Sequence, residues 1–254
     1  IAHFTAKNNC LTVVYDNSKE NIKSSKKNLF KLLDKLNDKA KYTKEDIKKI
    51  KKNLTFSTDI KSLKSSELII EAIIENLDLK KDIFSKIEKL VDEKCIISSN
   101  TSSLSITALA SSLEKSERFI GLHFFNPANL MPLVEIIPAI QTKKIITEKC
   151  KKFLEKLGKV VVLAKDTPGF IVNRVARPFY GEAIRIYEEG IASIETIDWA
   201  MKELGGFRMG PFELMDFIGN DVNYKVTETV FEQFYFDPRY KPSFSQKKLM
   251  EAGY

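Results

Sequence analysis

Leu68-Ile-Ile-Glu-Ala-Ile-Ile74 is a nearly continuous apolar run, the pattern of a strand buried on both faces of a parallel sheet. Such a strand needs helices on either side, and the flanking sequence supplies them. An apparent helix covers residues 1–8, and Leu11-Thr-Val-Val-Tyr15 reads as a short strand ending at Asp16. From residue 17 to about 36, Ile22, Leu29, Leu33 and Leu36 recur at helical spacing, and a second helix is expected over about 43–53. Beyond the central run, a helix over 78–91 places Ile83, Phe84, Ile87 and Leu90 on one face. Strand Cys95-Ile-Ile-Ser98 and a helix over 105–113 follow, then strands over 118–125 and 132–137, a helix over 147–157 and a strand over 159–163. This alternation predicts a doubly wound α/β sheet. After Asp166-Thr-Pro-Gly169 the strand signals stop, and the rest reads as helices, including 172–189, 194–204 and 212–217. The change of periodicity predicts an α/β domain over 1–165, with a helical arm at about 17–53, and an all-α C-terminal domain over 166–254.

Several function classes fall away on composition. The chain is 43% hydrophobic and 30% charged, as in globular proteins, and no apolar run reaches the roughly 18 residues needed to cross a bilayer. No signal peptide is visible, so a cytoplasmic location is expected. Cys10, Cys95 and Cys150 are widely spaced and form no metal or CxxC pattern, which points to free thiols in a reducing compartment and to no metal site. The net charge of +7 comes mainly from lysines between Lys19 and Lys64. They read either as a solvated helical face or as an electropositive surface for an anionic small molecule. A nucleic-acid partner is not expected, because there is no recognition motif and aromatics do not interleave with the basic residues.

Chemistry concentrates around one of only two histidines. His123 ends the apolar run Arg118-Phe-Ile-Gly-Leu-His-Phe-Phe before a turn at Asn126-Pro127, and imidazole is the side chain best suited to exchange a proton near neutral pH. Glu135 stands inside the next apolar run, Leu133-Val-Glu-Ile-Ile137. Consecutive strands carrying an imidazole and a buried acid predict an oriented general base. His3, in contrast, reads as a surface residue of the opening helix. Asp16 stands at a strand end, where an acid either caps a turn or hydrogen-bonds the ribose of a dinucleotide. No glycine-rich phosphate loop precedes it. A helix opening at Ile1, with no strand or glycines before it, is expected of a chain truncated just after that loop, and residues 1–254 alone are then expected to bind NAD poorly.

Four motifs stand in order along the chain: Ser99-Asn-Thr-Ser-Ser-Leu104, Leu122-His-Phe-Phe-Asn-Pro127, Asp166-Thr-Pro-Gly-Phe-Ile-Val-Asn-Arg174 and Met209-Gly-Pro-Phe-Glu-Leu214. In this order and spacing they resemble the L-3-hydroxyacyl-CoA dehydrogenases, close to the bacterial 3-hydroxybutyryl-CoA enzymes, and the resemblance covers essentially the whole chain. It implies a Rossmann-type doubly wound sheet, with the first strand missing from this chain, followed by an all-α domain that forms a homodimer. The activity implied is reversible NAD-dependent oxidation of an (S)-3-hydroxyacyl-CoA to the 3-oxoacyl-CoA, in fatty acid or related acyl-CoA metabolism. The resemblance matches His123 to the catalytic histidine and Glu135 to its carboxylate. It matches Ser102 to a ligand of the substrate hydroxyl and Asn173 to one of the acyl portion.

The same resemblance gives Asp16, Glu75, Lys80 and Asn100 to the cofactor, with Lys80 reaching its hydroxyls or phosphates and Asn100 near the nicotinamide. From the sequence alone, Ser102 reads equally as part of a helix cap, and Glu75 and Lys80 as helix-entry charges. Lys26, Lys27, Lys31, Lys35 and Lys39 lie on the arm that borders the coenzyme A site in the family. Phe212, Leu214 and Met215 suit burial in a dimer interface. Two further readings remain: an enzyme of the same fold acting on another substrate, such as 3-hydroxyadipyl-CoA or a sugar acid, and a non-catalytic relative that reuses the scaffold, as some crystallins do.

Overall fold

The computed structural model describes residues 1–253. The chain forms two compact units, one spanning Ile1–Asp166 and the other beginning at Thr167. In the first unit, α1 (Ala2–Lys7) leads into β1 (Thr12–Tyr15), and the helical arm follows as α2 (Lys19–Asp38) and α3 (Lys44–Lys52). Ser18 caps α2 by accepting from the Asn21 amide, and Thr43 and Asp46 form a reciprocal capping box at α3. The arm returns into β2 (Leu54–Ser57), which pairs parallel with β1. No strand is expected there from the sequence pattern. Leu33, Ile47 and Ile50 bury against Ala6 of α1, with Leu29, Phe30, Tyr42 and Leu54 around them, so the arm's apolar stripe closes over α1 and β2.

His3 departs from expectation. It is 6% exposed, not on the surface, and its ring stands edge-on to Tyr42 at 5.7 Å. A helix this short has little outer face, and Tyr42 of the arm covers the position.

A second sheet has the order β3 (Leu68–Glu71), β4 (Ile96–Ser99), β5 (Phe119–Phe124), β6 (Leu133–Pro138), β7 (Val160–Leu163). Neighbours run parallel except β5 and β6, which are antiparallel. Helices α4 (Leu77–Glu88), α5 (Ile106–Ala110) and α6 (Lys144–Lys156) connect or cover the strands. The central apolar run is a strand only as far as Glu71. The Ile73 amide donates to the Glu71 carboxylate at 2.6 Å and turns the chain, which leaves Ile73 and Ile74 42% and 69% exposed before Asn76 caps α4.

Side chains alternate along β5. Ile120, Leu122 and Phe124 face Val134 and Ile136 of β6, Ile146, Cys150 and Leu154 of α6, and Phe4 of α1. On the other face Phe119 meets Phe84 of α4 edge-on at 4.8 Å. Gly121 follows on that face, and a Cβ there would lie 2.8 Å from Ile106 Cδ1 and 3.0 Å from Ile137 Cβ. Glycine therefore lets α5 settle directly on the sheet. His123 is the next residue on this same face.

The second unit contains α7 (Val172–Glu188), α8 (Ile194–Trp199) running into a π turn at Ala200–Leu204, α9 (Pro211–Ile218), α10 (Asn220–Gln233) and α11 (Phe244–Glu251). Gly169, at φ +71°, makes the turn before α7, and a Cβ there would approach the Arg174 amide at 3.0 Å. Tyr180, Ile184 and Met215 form the core of this unit, with Phe212 and Leu214 packed against them. Those last three residues were expected at a dimer interface. In the structure Met215 is buried and Phe212 and Leu214 are half-buried where α9 packs against α7, and the exposed apolar side chains nearby include Leu204, Phe207, Phe217, Ile218 and Val222.

Candidate active site

The antiparallel register of β5 and β6 sets His123 directly opposite Glu135. Side chains so paired share a face, with Cβ atoms about 4.5–5.5 Å apart, and an imidazole and a carboxylate can then meet without distortion. They do: His123 Nδ1 lies 2.6 Å from Glu135 Oε2, with Glu135 fully enclosed and His123 6% exposed. The carboxylate fixes the tautomer and the plane of the ring, so that Nε2 is the nitrogen able to exchange a proton with a bound molecule. Phe125 packs on the imidazole with ring centroids 4.6 Å apart, which restricts its rotation further.

Asn100 follows β4 and joins this pair through the backbone, its Oδ1 accepting from the Phe124 amide at 2.9 Å. Ser102 follows in the same loop, at the carboxyl end of the sheet, where ligands bind in open α/β folds. The loop is gathered on Glu75. One carboxylate oxygen, Oε1, accepts from the amides of Ser102 and Ser103 at 3.2 and 3.3 Å, from Ser103 Oγ at 2.9 Å and from the Thr101 hydroxyl. Burial works to raise the Glu75 carboxyl, but the Thr101 hydrogen bond, the charge of Lys80 and the Ser103 hydrogen bond outweigh it and hold it below the usual carboxylate range. The cap of α5 is formed elsewhere: Ser105 Oγ accepts from the Ala108 amide, and Asp166 accepts from the amides of Ile106 and Thr107 at 2.9 and 2.7 Å. Ser102 is therefore not needed as a helix cap.

Lys80, expected at the cofactor, stands close behind Glu75 on the first turn of α4. It is 1% exposed, and its ammonium meets Glu71 Oε1 at 2.6 Å, the Ile73 carbonyl at 3.3 Å and Glu75 Oε2 at 3.3 Å. Its three donors are thus committed inside the protein rather than presented at a surface. Glu71, absent from the sequence reading, is the partner. It carries the same signal that marked Glu135, a lone acid inside an apolar run, which burial makes costly unless a cation or donor answers it.

Asp16 stands apart from this network, at the carboxyl end of β1. Its Oδ1 accepts from the Ser18 amide at 2.8 Å and from Asn21 Nδ2 at 3.2 Å, so it does cap the turn into α2, while Oδ2 projects from the same carboxylate. Asn173 lies in the second unit, in the first turn of α7, where its carbonyl accepts from Arg177 Nε at 3.1 Å. Lys26, Lys27, Lys31 and Lys35 of α2, and Lys39 at its C-terminal cap, are all exposed. Lys159 is a further residue the sequence did not single out. Its ammonium clamps the carbonyls of Ala128 and Met131, each at 2.6 Å, and lies 4.2 Å from the centre of the Phe4 ring, so it pins the turn that follows His123. Among the described residues, no cluster of histidine, cysteine and carboxylate side chains could hold a metal ion.

Comparison with known proteins shows the family. Residues 1–167 match the family profile described as 3-hydroxyacyl-CoA dehydrogenase, NAD binding domain, and residues 169–254 match its C-terminal domain. The chain is 40% identical over 253 residues to a 3-hydroxyadipyl-CoA dehydrogenase of Escherichia coli, covering 100% of this chain and 53% of that protein. It therefore spans about half the length of that relative. It is also 40% identical over 256 residues to the mitochondrial hydroxyacyl-coenzyme A dehydrogenase of Sus scrofa, covering 98% of this chain and 82% of the pig protein. The crystal structure of (S)-3-hydroxybutyryl-CoA dehydrogenase from Ralstonia eutropha superposes with a TM-score of 0.94 at 38% identity, covering 100% of this chain and 89% of that one. The chain belongs to the 3-hydroxyacyl-CoA dehydrogenase family.

Proposed function

We propose that the protein oxidises (S)-3-hydroxyacyl-CoA thioesters reversibly to 3-oxoacyl-CoA with NAD, acting on short acyl chains such as 3-hydroxybutyryl. The observation that carries this reading is the buried His123–Glu135 pair at 2.6 Å. Oxidation of a secondary alcohol must remove the hydroxyl proton as hydride leaves the same carbon. His123 Nε2 takes that proton and returns it in the reverse direction, while Glu135 on Nδ1 offsets the positive charge that develops on the ring. Ser102 hydrogen-bonds the substrate hydroxyl, and Asn173 is the amide assigned to the thioester carbonyl. The exposed lysines of α2 suit the phosphates of coenzyme A.

The residues present fit a dinucleotide on the chemistry of their donors. Asp16 Oδ2 would accept from an adenine-ribose hydroxyl and disfavour a 2′-phosphate, which favours NAD over NADP. Asn100 and Glu75 would stand on the nicotinamide side. When bound, NAD supplies the acceptor for the hydride.

We place the protein in the cytoplasm, in fatty acid or related acyl-CoA metabolism, as a homodimer. Three widely spaced cysteines that form no disulfide support a reducing compartment. Phe217, 73% exposed, and Leu204, 76% exposed, support an interface on the helical unit. Sedimentation of a Phe217→Asp variant tests it, with loss of the dimer expected and an unchanged mass counting against it. The activity itself is read by NADH oxidation with acetoacetyl-CoA, compared with free acetoacetate. Turnover of the thioester is expected, and exclusive use of the free acid overturns the reading. Activity on 3-hydroxyadipyl-CoA exceeding that on 3-hydroxybutyryl-CoA would move the substrate to the dicarboxylic thioester.

A further inference from the structure

Past Phe124 the chain leaves the sheet, and the residues that follow His123 are held between two anchors. The first is the Phe124 amide, which donates to Asn100 Oδ1 at 2.9 Å. The second is Lys159, the residue before β7. Because β6 runs antiparallel to β5 and parallel to β7, the amino end of β7 lies at the carboxyl end of β5, and the Lys159 side chain starts there. Its ammonium donates to the Ala128 and Met131 carbonyls, each at 2.6 Å. The Pro127 carbonyl closes the same turn by accepting from the amides of Leu130 and Met131 at 2.9 and 3.0 Å. Only Phe125, Asn126 and Pro127 separate the two anchors, so the backbone of Phe125 has little room to shift.

Lys159 is 7% exposed, and its partners are two carbonyls and the face of Phe4 rather than a carboxylate. Burying an ammonium on these terms is costly, and desolvation lowers its hold on a proton below the ordinary lysine range. A charged donor nevertheless makes both hydrogen bonds stronger than a neutral one would. What the turn secures is Phe125, whose ring packs on the His123 imidazole at 4.6 Å between centroids. We propose that Lys159 is a positioning residue, whose buried ammonium fixes the turn at 127–131 and thereby holds Phe125 against the imidazole of His123 for proton transfer. This role rests on the reading of His123 as the base, given above. Lys159 acts through Phe125 and exchanges no proton with the substrate itself.

Lys159→Met keeps the aliphatic stem and removes the donors. Hydrogen–deuterium exchange without substrate is expected to show the amides of Leu130 and Met131 exchanging about tenfold faster, as the turn loses its bonds from a charged donor, while 119–124 and 133–138 keep their protection. The ring protons of His123, one of only two histidines, lie in the field of the Phe125 ring, and their NMR signals are expected to shift. In acetoacetyl-CoA reduction kcat is expected to fall about tenfold, part of the roughly 10²-fold that misplacement by about 1 Å costs, with the KM for the thioester within about threefold of wild type. Phe125→Leu is expected to lose as much. The Lys159→Met/Phe125→Leu double variant is expected to fall no more than about twofold below the less active single variant, because both changes act on one ring. Unchanged exchange at 130–131, a kcat within about threefold of wild type, a loss confined to KM, or losses that multiply in the double variant overturn the proposal. So does equal acceleration across 119–138, which marks a general loosening of the sheet. Should Lys159→Met fail to fold, Lys159→Gln, which keeps a donor for one of the two carbonyls, is judged by the same readings. If the wild-type protein does not turn over acyl-CoA, the reading of His123 fails, and the exchange data with the His123 signals still decide whether Lys159 holds Phe125 on the ring.

Discussion

Glu135 is wholly enclosed and meets His123 Nδ1 at 2.6 Å, so the imidazole has one orientation in which to work. The carboxylate contributes both geometry and charge, and the two can be separated. Glu135→Gln retains an acceptor for Nδ1–H but removes the negative charge that offsets the developing imidazolium. It is expected to lower kcat by about 10²–10⁴-fold, the usual worth of a positioned acid–base group, with the NAD dissociation constant unchanged. His123→Gln is expected to fall at least as far. Steady-state reduction of acetoacetyl-CoA measures both, and a Glu135→Gln enzyme within threefold of wild type would remove the carboxylate from the mechanism. The same residue scale separates Asp16 from Lys80. Asp16 is half-buried and commits Oδ1 to the turn into α2, whereas the Lys80 ammonium is enclosed by Glu71, the Ile73 carbonyl and Glu75.

At the scale of elements, the site depends on how closely α5 approaches the sheet. Gly121 lies on the face of β5 that carries His123, and a methyl group there would come within 2.8 Å of Ile106. Gly121→Ala is therefore expected to destabilise the protein by about 1–3 kcal/mol through overpacking, and to lower activity by displacing α5. Urea unfolding at unchanged m-value checks the first effect. Arg177 gives the matching case in the helical unit. It is 4% exposed, its guanidinium donates to the Asn223 carbonyl at 3.0 Å and to Thr227 Oγ1 at 2.8 Å, and burial lowers it to about 10. Arg177→Met removes both of these hydrogen bonds, although the Asn223 carbonyl still accepts from the Thr227 hydroxyl at 3.0 Å, and is expected to cost about 1–3 kcal/mol, read as a lower thermal midpoint.

The elements most legible in the sequence were those with a long period or an enclosed strand. α2, α4, α7 and the strands β5 and β6 stand close to where spacing put them, and His123 and Glu135 followed from two adjacent apolar runs. What stayed hidden was set by tertiary contacts. β2, Leu54-Thr-Phe-Ser57, carries only two apolar side chains and directly follows a lysine-rich helix, so no apolar run marked it, unlike the equally short β1, β3, β4 and β7. The run after Glu71 looked like more strand because its side chains are apolar, yet a single hydrogen bond from the Ile73 amide turns it. Phe212, Leu214 and Met215 are as apolar as an interface residue must be, and only packing shows that they close the unit's own core.

For the molecule as a whole, charge and acid stability follow from features at opposite ends of the exposure range. The lysines of α2 are exposed, so their attraction for an anionic thioester is screened by salt. The KM for acetoacetyl-CoA is expected to rise several-fold between 20 and 200 mM salt, and a KM independent of salt would count against a cationic arm at the substrate. Acid stability is set in part by His3, whose two ring nitrogens are buried without a hydrogen-bond partner. Desolvation, and then the charge of Lys7, lower its affinity for a proton below the ordinary value of 6.5. Above that value the ring is neutral in both the folded and the unfolded chain, and its titration leaves stability unchanged. As pH falls below it, the unfolded chain binds a proton that the folded chain does not, so stability declines until pH reaches the lowered folded value. The limiting slope for one such proton is about 1.4 kcal/mol per pH unit. His3→Leu removes the titration while keeping an apolar contact with Tyr42. Between pH 7.5 and 5.5 the wild-type protein is expected to lose more stability than the variant in urea unfolding. Parallel declines in the two proteins would show that His3 takes up its proton without unfolding α1.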